Sequence, residues 1–151
     1  TINTAKTKAL IGFINNRAVT LDNVGIKVAT TANNWATVSL TAQQGNFIDV
    51  ANAAKLLVVT TGNAENTNMQ WKSAAKNSLG TNWGTGPTLV EVIPVALDLP
   101  YASSRTKAWV LDETGQRKTE LPVSDNAGKA QLILSGATAS LWYEVEVTAA
   151  N

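Results

Sequence analysis

The sequence predicts an all-β fold, an antiparallel sandwich of two sheets, and three observations support that fold class. Apolar and polar residues alternate with a period of two in the segments that look ordered, most clearly in residues 35–41 and 141–147. No window carries a 3.6-residue apolar period long enough for a helix of more than about three turns. Gly, Asn, Asp and Pro separate the apolar segments at intervals typical of hairpins.

The first half of the chain contains four predicted strands. Residues 9–14 form a short apolar run, and residues 19–28 alternate around a turn or bulge signal in their middle. Residues 35–41 alternate, with Trp35 on the same face as Thr and Ser side chains. Residues 56–61 form a continuous run rich in β-branched side chains, which is typical of a central, buried strand.

A long polar excursion follows at residues 62–87. It is rich in Asn, Gly, Thr and Ser, and both Trp71 and Trp83 lie within it. Residues 71–79 within it have room for a short helix or an irregular strand. Loops of this length inside a compact domain are uncommon and often functional. We therefore expect the excursion to form or border a binding site.

Six further strands complete the predicted fold: residues 88–93, 95–99, 107–112, 120–123, 130–134 and 141–147. Pro94 suits a strand boundary, and residues 125–128, Asp-Asn-Ala-Gly, give the strongest turn signal in the chain. About ten short strands predict an antiparallel β-sandwich, for which a jelly-roll-like arrangement is favoured. We find no internal repeat or linker, so residues 1–151 are predicted to form one module.

Composition excludes several classes of function. The 151 residues carry a net charge of +1 and include no Cys and no His. A disulfide frame, a thiol nucleophile and a histidine-based serine triad are therefore impossible. The net charge gives no electrostatic reason to bind nucleic acid or an anionic membrane. Only cation sites made of oxygen ligands stay open. Asp22, Asp49 and Asn52 are candidate ligands for a structural calcium ion, with a role in turns as the favoured alternative.

Tryptophan is the most conspicuous residue type, with five Trp against two Tyr and two Phe. Sugar rings stack their C–H faces on flat aromatic surfaces, although core filling is the alternative role for any single Trp. The exposed candidates are Trp71, Trp83, Trp35 and Trp142, whereas Trp109 lies between apolar neighbours and is predicted to be core. Polar neighbours in the excursion complete the predicted ligand-binding set: Glu65, Asn68, Gln70 and Asn82.

Glu144 and Glu146 are the carboxylate pair whose spacing in the sequence is compatible with the two catalytic carboxyls of a glycosidase. They lie on one face of a predicted strand, about 7 Å apart for two strand rises, within the range that glycosidases use. Two glutamates at i and i+2 are ordinarily a solvated face, however, and we predict no enzymatic activity. Arg117 belongs to a local cationic cluster that nearby Glu113 and Glu120 are expected to balance.

Five segments carry a resemblance to a known class of domain: residues 8–13 (KALIGF), 60–67 (TTGNAENT) with Trp71 and Lys72 after it, 89–92 (LVEV), 109–117 (WVLDETGQR) and 141–145 (LWYEV). Together they resemble the C-terminal β-sandwich domain of large bacterial glycoside hydrolases that act on plant-cell-wall and related polysaccharides. The resemblance implies a secreted protein and an accessory role beside a catalytic domain in the same parent chain. It supplies no catalytic or binding residue.

The sequence leaves two functions open. The first is a carbohydrate-binding module that holds polysaccharide or oligosaccharide through exposed Trp residues. The second is a structural sandwich that packs on a glycoside hydrolase domain and binds no sugar. The chain begins at Thr1 in a polar stretch with no signal sequence, so we expect a mature or excised fragment.

Overall fold

The computed structural model describes residues 1–14 and 16–150 and confirms the all-β class, with about 52% of the chain in strands and 4% in helices. Two single-turn 3-10 helices, Ser103–Arg105 and Gly136–Thr138, are the helices of this described part. The strands are β1 Ile2–Asn3, β2 Thr7–Phe13, β3 Ala18–Leu21, β4 Val24–Val28, β5 Trp35–Gln44, β6 Ala54–Thr61, β7 Ala64–Thr67, β8 Thr85–Val90, β9 Val95–Leu99, β10 Thr106–Leu111, β11 Arg117–Leu121, β12 Ser124–Asn126, β13 Lys129–Leu134 and β14 Trp142–Val147.

Antiparallel pairing arranges these strands in two large sheets and one small one. The first has seven strands in the order β1-β2-β5-β6-β14-β10-β11, and the second has five in the order β12-β13-β9-β4-β3. Among the described residues, strands β7 and β8 pair only with each other. β6 is the middle strand of the seven-stranded sheet, as its β-branched run predicts. The jelly-roll assignment stays a prediction.

The core lies between the inner faces of the two large sheets and follows from period-two alternation. In β5, Ala36, Val38 and Leu40 are fully buried, whereas the residues between them lie on the outer face. Leu97 of β9 and Leu132 of β13 are fully buried from the opposite sheet. Each buried Val or Leu side chain contributes roughly 1.5–3 kcal/mol by leaving water, so the pattern that predicts the fold also stabilises it.

A buried ammonium group joins the two sheets near one end. Lys8 of β2 points into the core with no exposed surface, and its Nζ donates to Asn3 and, at 2.6 Å, to Asp22. Its Nζ also lies 5.8 Å from the centre of the Phe47 ring. The hydrogen bond from Lys8 is the main cause that lowers the pKa of Asp22. Asp22 is in the β3–β4 turn, so the ion pair connects one sheet to the other.

The structure differs from the sequence prediction in the excursion and at its end. Residues 71–79 form bends, turns and irregular backbone rather than a helix or strand, and β7 and β8 flank the segment instead. The strand predicted at residues 88–93 is β8, which begins earlier and ends at Val90. After it, Glu91 accepts hydrogen bonds from the backbone N–H groups of Ala32 (2.6 Å) and Asn63 (3.2 Å), which bind the chain to two loops. No helix of the described chain is long and apolar enough to span a membrane.

Candidate functional site

The β7–β8 hairpin contains six of the eight predicted ligand-binding residues, and Glu65 organises it. The indole Nε1 of Trp71 donates to Glu65 Oε1 at 3.0 Å, and the amide of Asn63 donates to the same oxygen at 2.9 Å. Lys76 Nζ lies 3.6 Å from that oxygen. The Trp71 hydrogen bond is the largest cause that lowers the pKa of Glu65. Trp71 is half-buried, and its polar edge is already occupied.

A polar pocket of about 520 Å³ opens beside this hairpin, and Glu65 and Asn68 both line it. Several of its polar side chains are engaged within the protein. Lys76 Nζ donates to Asn33 at 3.0 Å, and Asn66 donates to the Trp83 carbonyl at 3.0 Å. The pocket is therefore built largely from groups that already satisfy one another, with no aromatic ring among its lining residues in the described chain.

Three predicted residues of the hairpin are exposed: Gln70, Asn82 and Trp83. None of them is among the described residues that line the pocket. Trp83 is 63% exposed. Gln70 and Asn82 are joined through their backbones, with the Gln70 N–H donating to the Asn82 carbonyl at 3.1 Å. The structure thus brings Glu65 and Asn68 to one pocket, and Trp71 is bonded to Glu65 without lining it. The other three predicted residues of the hairpin lie outside the pocket.

Three tryptophans project from the outer face of the seven-stranded sheet: Trp35, Trp109 and Trp142. Each lies next to a buried residue of its own strand, so alternation places all three indoles on the side away from the core. The prediction that Trp109 is core is wrong, because it is half-buried on this outer face and pairs in register with Glu144. Its apolar neighbours in the sequence are the buried ones.

Near one end of this face, Trp35 pairs with Phe13, and we call these two side chains the aromatic step. Their ring centroids are 5.2 Å apart with an interplanar angle of 82°, an edge-to-face contact. Phe13 is 74% exposed and Trp35 is 38% exposed. The adjacent outward residue of β2, Ile11, is half-exposed. The step therefore offers a continuous apolar surface to solvent.

The second feature of the face is a groove of about 490 Å³, which we call the Trp142 groove. Its apolar walls are Trp142, Leu57 and Leu111. Its polar side chains come from the same sheet and the turn after β10: Gln43, Lys55, Glu113 and Glu144. An aromatic wall with amide, ammonium and carboxylate groups around it is the donor and acceptor set that a hydroxyl-rich ligand requires.

A network of charged residues borders the Trp142 groove. Glu144 accepts from Lys55 Nζ at 2.8 Å and from Arg117 Nε at 2.6 Å, and Arg117 Nη2 also lies 2.7 Å from Glu146. The guanidinium of Arg117 covers the Trp109 ring, 3.7 Å from its centre. Burial acts to raise the pKa of Glu144, but the hydrogen bonds from Lys55 and Arg117 outweigh it, so the pKa lies below its usual value.

This network corrects two expectations about charge. Glu144 is not an ordinary solvated glutamate, since only 11% of its side chain is exposed. Arg117 is balanced by Glu144 and Glu146 across the sheet rather than by Glu113 and Glu120. Cross-strand register brings these side chains together, because β14 lies between β6 and β10 and β11 lies beyond β10.

The three candidate calcium ligands have protein partners. Asp22 pairs with Lys8, and Asp49 accepts from Asn52 Nδ2 at 2.5 Å. Among the described residues, no cluster of three or more Asp, Glu, His or Cys could hold a metal ion. A structural calcium ion therefore stays a prediction.

Sequence reasoning missed Phe13, Lys55 and Arg117 as members of this face. Residues 9–14 are continuously apolar, which hides the fact that Ile11 and Phe13 point outward. A usable signal existed for Phe13, because pairing it with Trp35 places the two aromatic residues opposite each other in neighbouring strands. The partners of Arg117 depend on strand order, which the local pattern does not specify.

Comparison with known proteins identifies no relative of this chain. The chain matches no protein-family model, no curated protein and no solved structure at a significant level.

Proposed function

We propose that the protein is a non-catalytic carbohydrate-binding module that holds polysaccharide on the outer face of its seven-stranded sheet. The observation that carries this proposal is the projection of Trp35 and Trp142 from one open sheet face, with a polar-rimmed groove at Trp142. In this proposal the module is secreted and works beside a catalytic domain of a polysaccharide-degrading enzyme in the same parent chain. Its ligands are polysaccharides of the plant-cell-wall type.

The chemistry of the groove supports binding rather than hydrolysis. An indole wall suits the C–H face of a sugar ring, and the neighbouring amide and charged groups suit its hydroxyls. A glycosidase needs a carboxylic acid with a raised pKa to protonate the leaving group. Glu144 has the opposite property, because Lys55 and Arg117 lower its pKa. The chain also lacks His, the side chain most often used as a general base.

Affinity electrophoresis tests the proposal against soluble glucans, xylans, mannans and galactans. The wild-type protein should be retarded by at least one of these polysaccharides. Trp142→Ala should lose on the order of 1–3 kcal/mol of binding, roughly a 5- to 150-fold loss of affinity. Trp83→Ala is the matched control, since it removes an exposed indole outside the outer face. No retardation of the wild-type protein by any glycan would contradict the proposal.

The structural alternative, in which the sandwich packs on a catalytic domain without binding sugar, has one observation of its own. Trp83 and Leu89 lie exposed on the hairpin at 63% and 58%, with Val90 also exposed beside them. Exposed apolar groups of this kind favour a protein contact. In that case no polysaccharide retards the protein, and Trp142→Ala behaves like the wild type in every gel.

A further inference from the structure

We infer that the ligand is an extended, electrically neutral polysaccharide chain that lies diagonally across the outer face, from the Trp142 groove to the aromatic step. This inference rests on the proposed function and deepens it by naming the form and charge of the ligand. It follows from the separation of the two aromatic sites, from the small side chains between them, and from the balance of charge around the groove.

The two aromatic sites are too far apart for one sugar ring to contact both. Trp142 pairs with Val59, and Val59 pairs with Ser39, so Trp142 lies two strands away from Ser39 in one row. Trp35 is four residues before Ser39 in β5. A rise of about 3.3 Å per residue and a strand spacing of about 4.8 Å place the Trp35 and Trp142 backbones roughly 16 Å apart. A ligand that uses both must be a chain of several sugars.

In the part of the chain that the structure describes, the surface between the two sites carries small side chains. Its outward residues are Thr37 and Ser39 of β5 and Val59 and Thr61 of β6, all half-buried in the sheet. Thr37 pairs with Thr61, and Ser39 pairs with Val59, so the four form one contiguous floor. Small side chains let a chain approach the sheet closely, and three of the four carry hydroxyls that can bond to sugar hydroxyls.

The charges around this path favour a neutral ligand. The floor residues are uncharged, and at the groove the cations Lys55 and Arg117 are paired with the anions Glu144 and Glu146. Glu113 then adds a further negative charge to the groove lining. A chain of uronic acids or sulfated sugars would meet this carboxylate without a free cation to pair with in the described groove. Neutral glucan, xylan, mannan or galactan chains avoid that cost.

The test is calorimetric titration with oligosaccharides of increasing length, from disaccharide to hexasaccharide, prepared from the neutral polysaccharide that retards the protein in the gel. Affinity should rise with length until the chain reaches both aromatic sites and then level off. Trp35→Ala should lower affinity for the hexasaccharide about tenfold while leaving the disaccharide within about twofold. Thr37→Arg, which obstructs the floor, should have the same length-dependent effect.

Thr20→Arg on the outer face of the five-stranded sheet is the control, because it places the same bulk and charge on an exposed strand position outside the path. Equal affinity for disaccharide and hexasaccharide, or unchanged hexasaccharide binding by Trp35→Ala and Thr37→Arg, would overturn this inference.

The proposed function would survive that result as long as Trp142→Ala still abolishes retardation. Tighter binding of a polyuronate than of any neutral chain would overturn the assignment of charge. Failure of the wild-type protein to bind any chain would remove the proposed function and the inference together.

Discussion

The outer face of the seven-stranded sheet and the β7–β8 hairpin both expose tryptophan, yet they use it in opposite ways. On the sheet, strand pairing sets the direction of Trp35 and Trp142, and their rings border open surface. In the hairpin, Trp71 donates its indole N–H to Glu65 and supports the loop from within. A tryptophan whose indole N–H is bonded within the protein has a structural role, whereas one whose ring borders open surface is a candidate for binding. The polarity of the surrounding sequence does not distinguish the two.

The largest expected effect that tests this comparison is on folding stability. Trp71→Ala removes a half-buried indole together with its hydrogen bond to Glu65, so we expect a loss of about 2 kcal/mol, below the range for a fully buried Trp. Urea unfolding followed by fluorescence or circular dichroism measures it. Retardation by polysaccharide should persist under conditions in which the variant is folded. An unchanged unfolding midpoint, with loss of glycan binding, would make Trp71 a platform and reverse the comparison.

A smaller effect is expected on the sheet, where a charged network supports the Trp142 groove. Glu144→Gln keeps the shape of a nearly buried side chain but removes the charge that Lys55 and Arg117 bond, so stability should fall by roughly 1–2 kcal/mol at neutral pH. Because the pKa of Glu144 is lowered by folding, its contribution is complete well above the ordinary value of 4.5 and is lost as the pH falls through the lower folded value.

The stability difference between wild type and Glu144→Gln should therefore shrink as the pH is lowered below about 4.5. Urea midpoints measured across that range give the difference directly. Glu146→Gln is the matched control, since its side chain is 51% exposed and its ion pair within the described residues is with Arg117 alone. A difference that stays constant with pH, or equal effects of the two substitutions, would mean that the network does not stabilise the groove.

The fold was predictable from the sequence wherever one face of a strand is buried. In β5 and β14 the alternation of apolar and polar residues reports directly which face meets the core. The hairpin was not predictable, because β8 is exposed at every position and so carries no period-two burial signal. Its partner β7 is short and polar, and such pairs form only where the rest of the fold brings them together.

The sequence predicts the outward direction of single residues of the candidate site but not which of them share one surface. Trp35 and Trp142 could be placed on outward faces from their strand neighbours alone. Their sharing of one face with Trp109 depends on the order β5-β6-β14-β10, which joins segments more than a hundred residues apart. The interpretation of Trp109 failed for a related reason, because apolar neighbours in a strand point to the opposite face and say nothing about the residue between them.

The smallest expected effect is at Trp83, where the two regions can be compared most directly. Its side chain is 63% exposed, and the contact that holds this position is made by its backbone carbonyl, which accepts from Asn66 and would persist in an alanine variant. Trp83→Ala should therefore change the free energy of unfolding by no more than about 0.5 kcal/mol. Its retardation in a polysaccharide gel should equal that of the wild type, because the residue lies on the hairpin and outside the outer face. Gels and urea titrations of Trp83→Ala and Trp142→Ala, run side by side, show which surface binds the glycan, since the two variants lose the same side chain from different surfaces. If Trp83→Ala abolishes retardation and Trp142→Ala does not, the glycan site lies on the hairpin, as the sequence pattern predicts, and the outer face of the sheet has only a structural role.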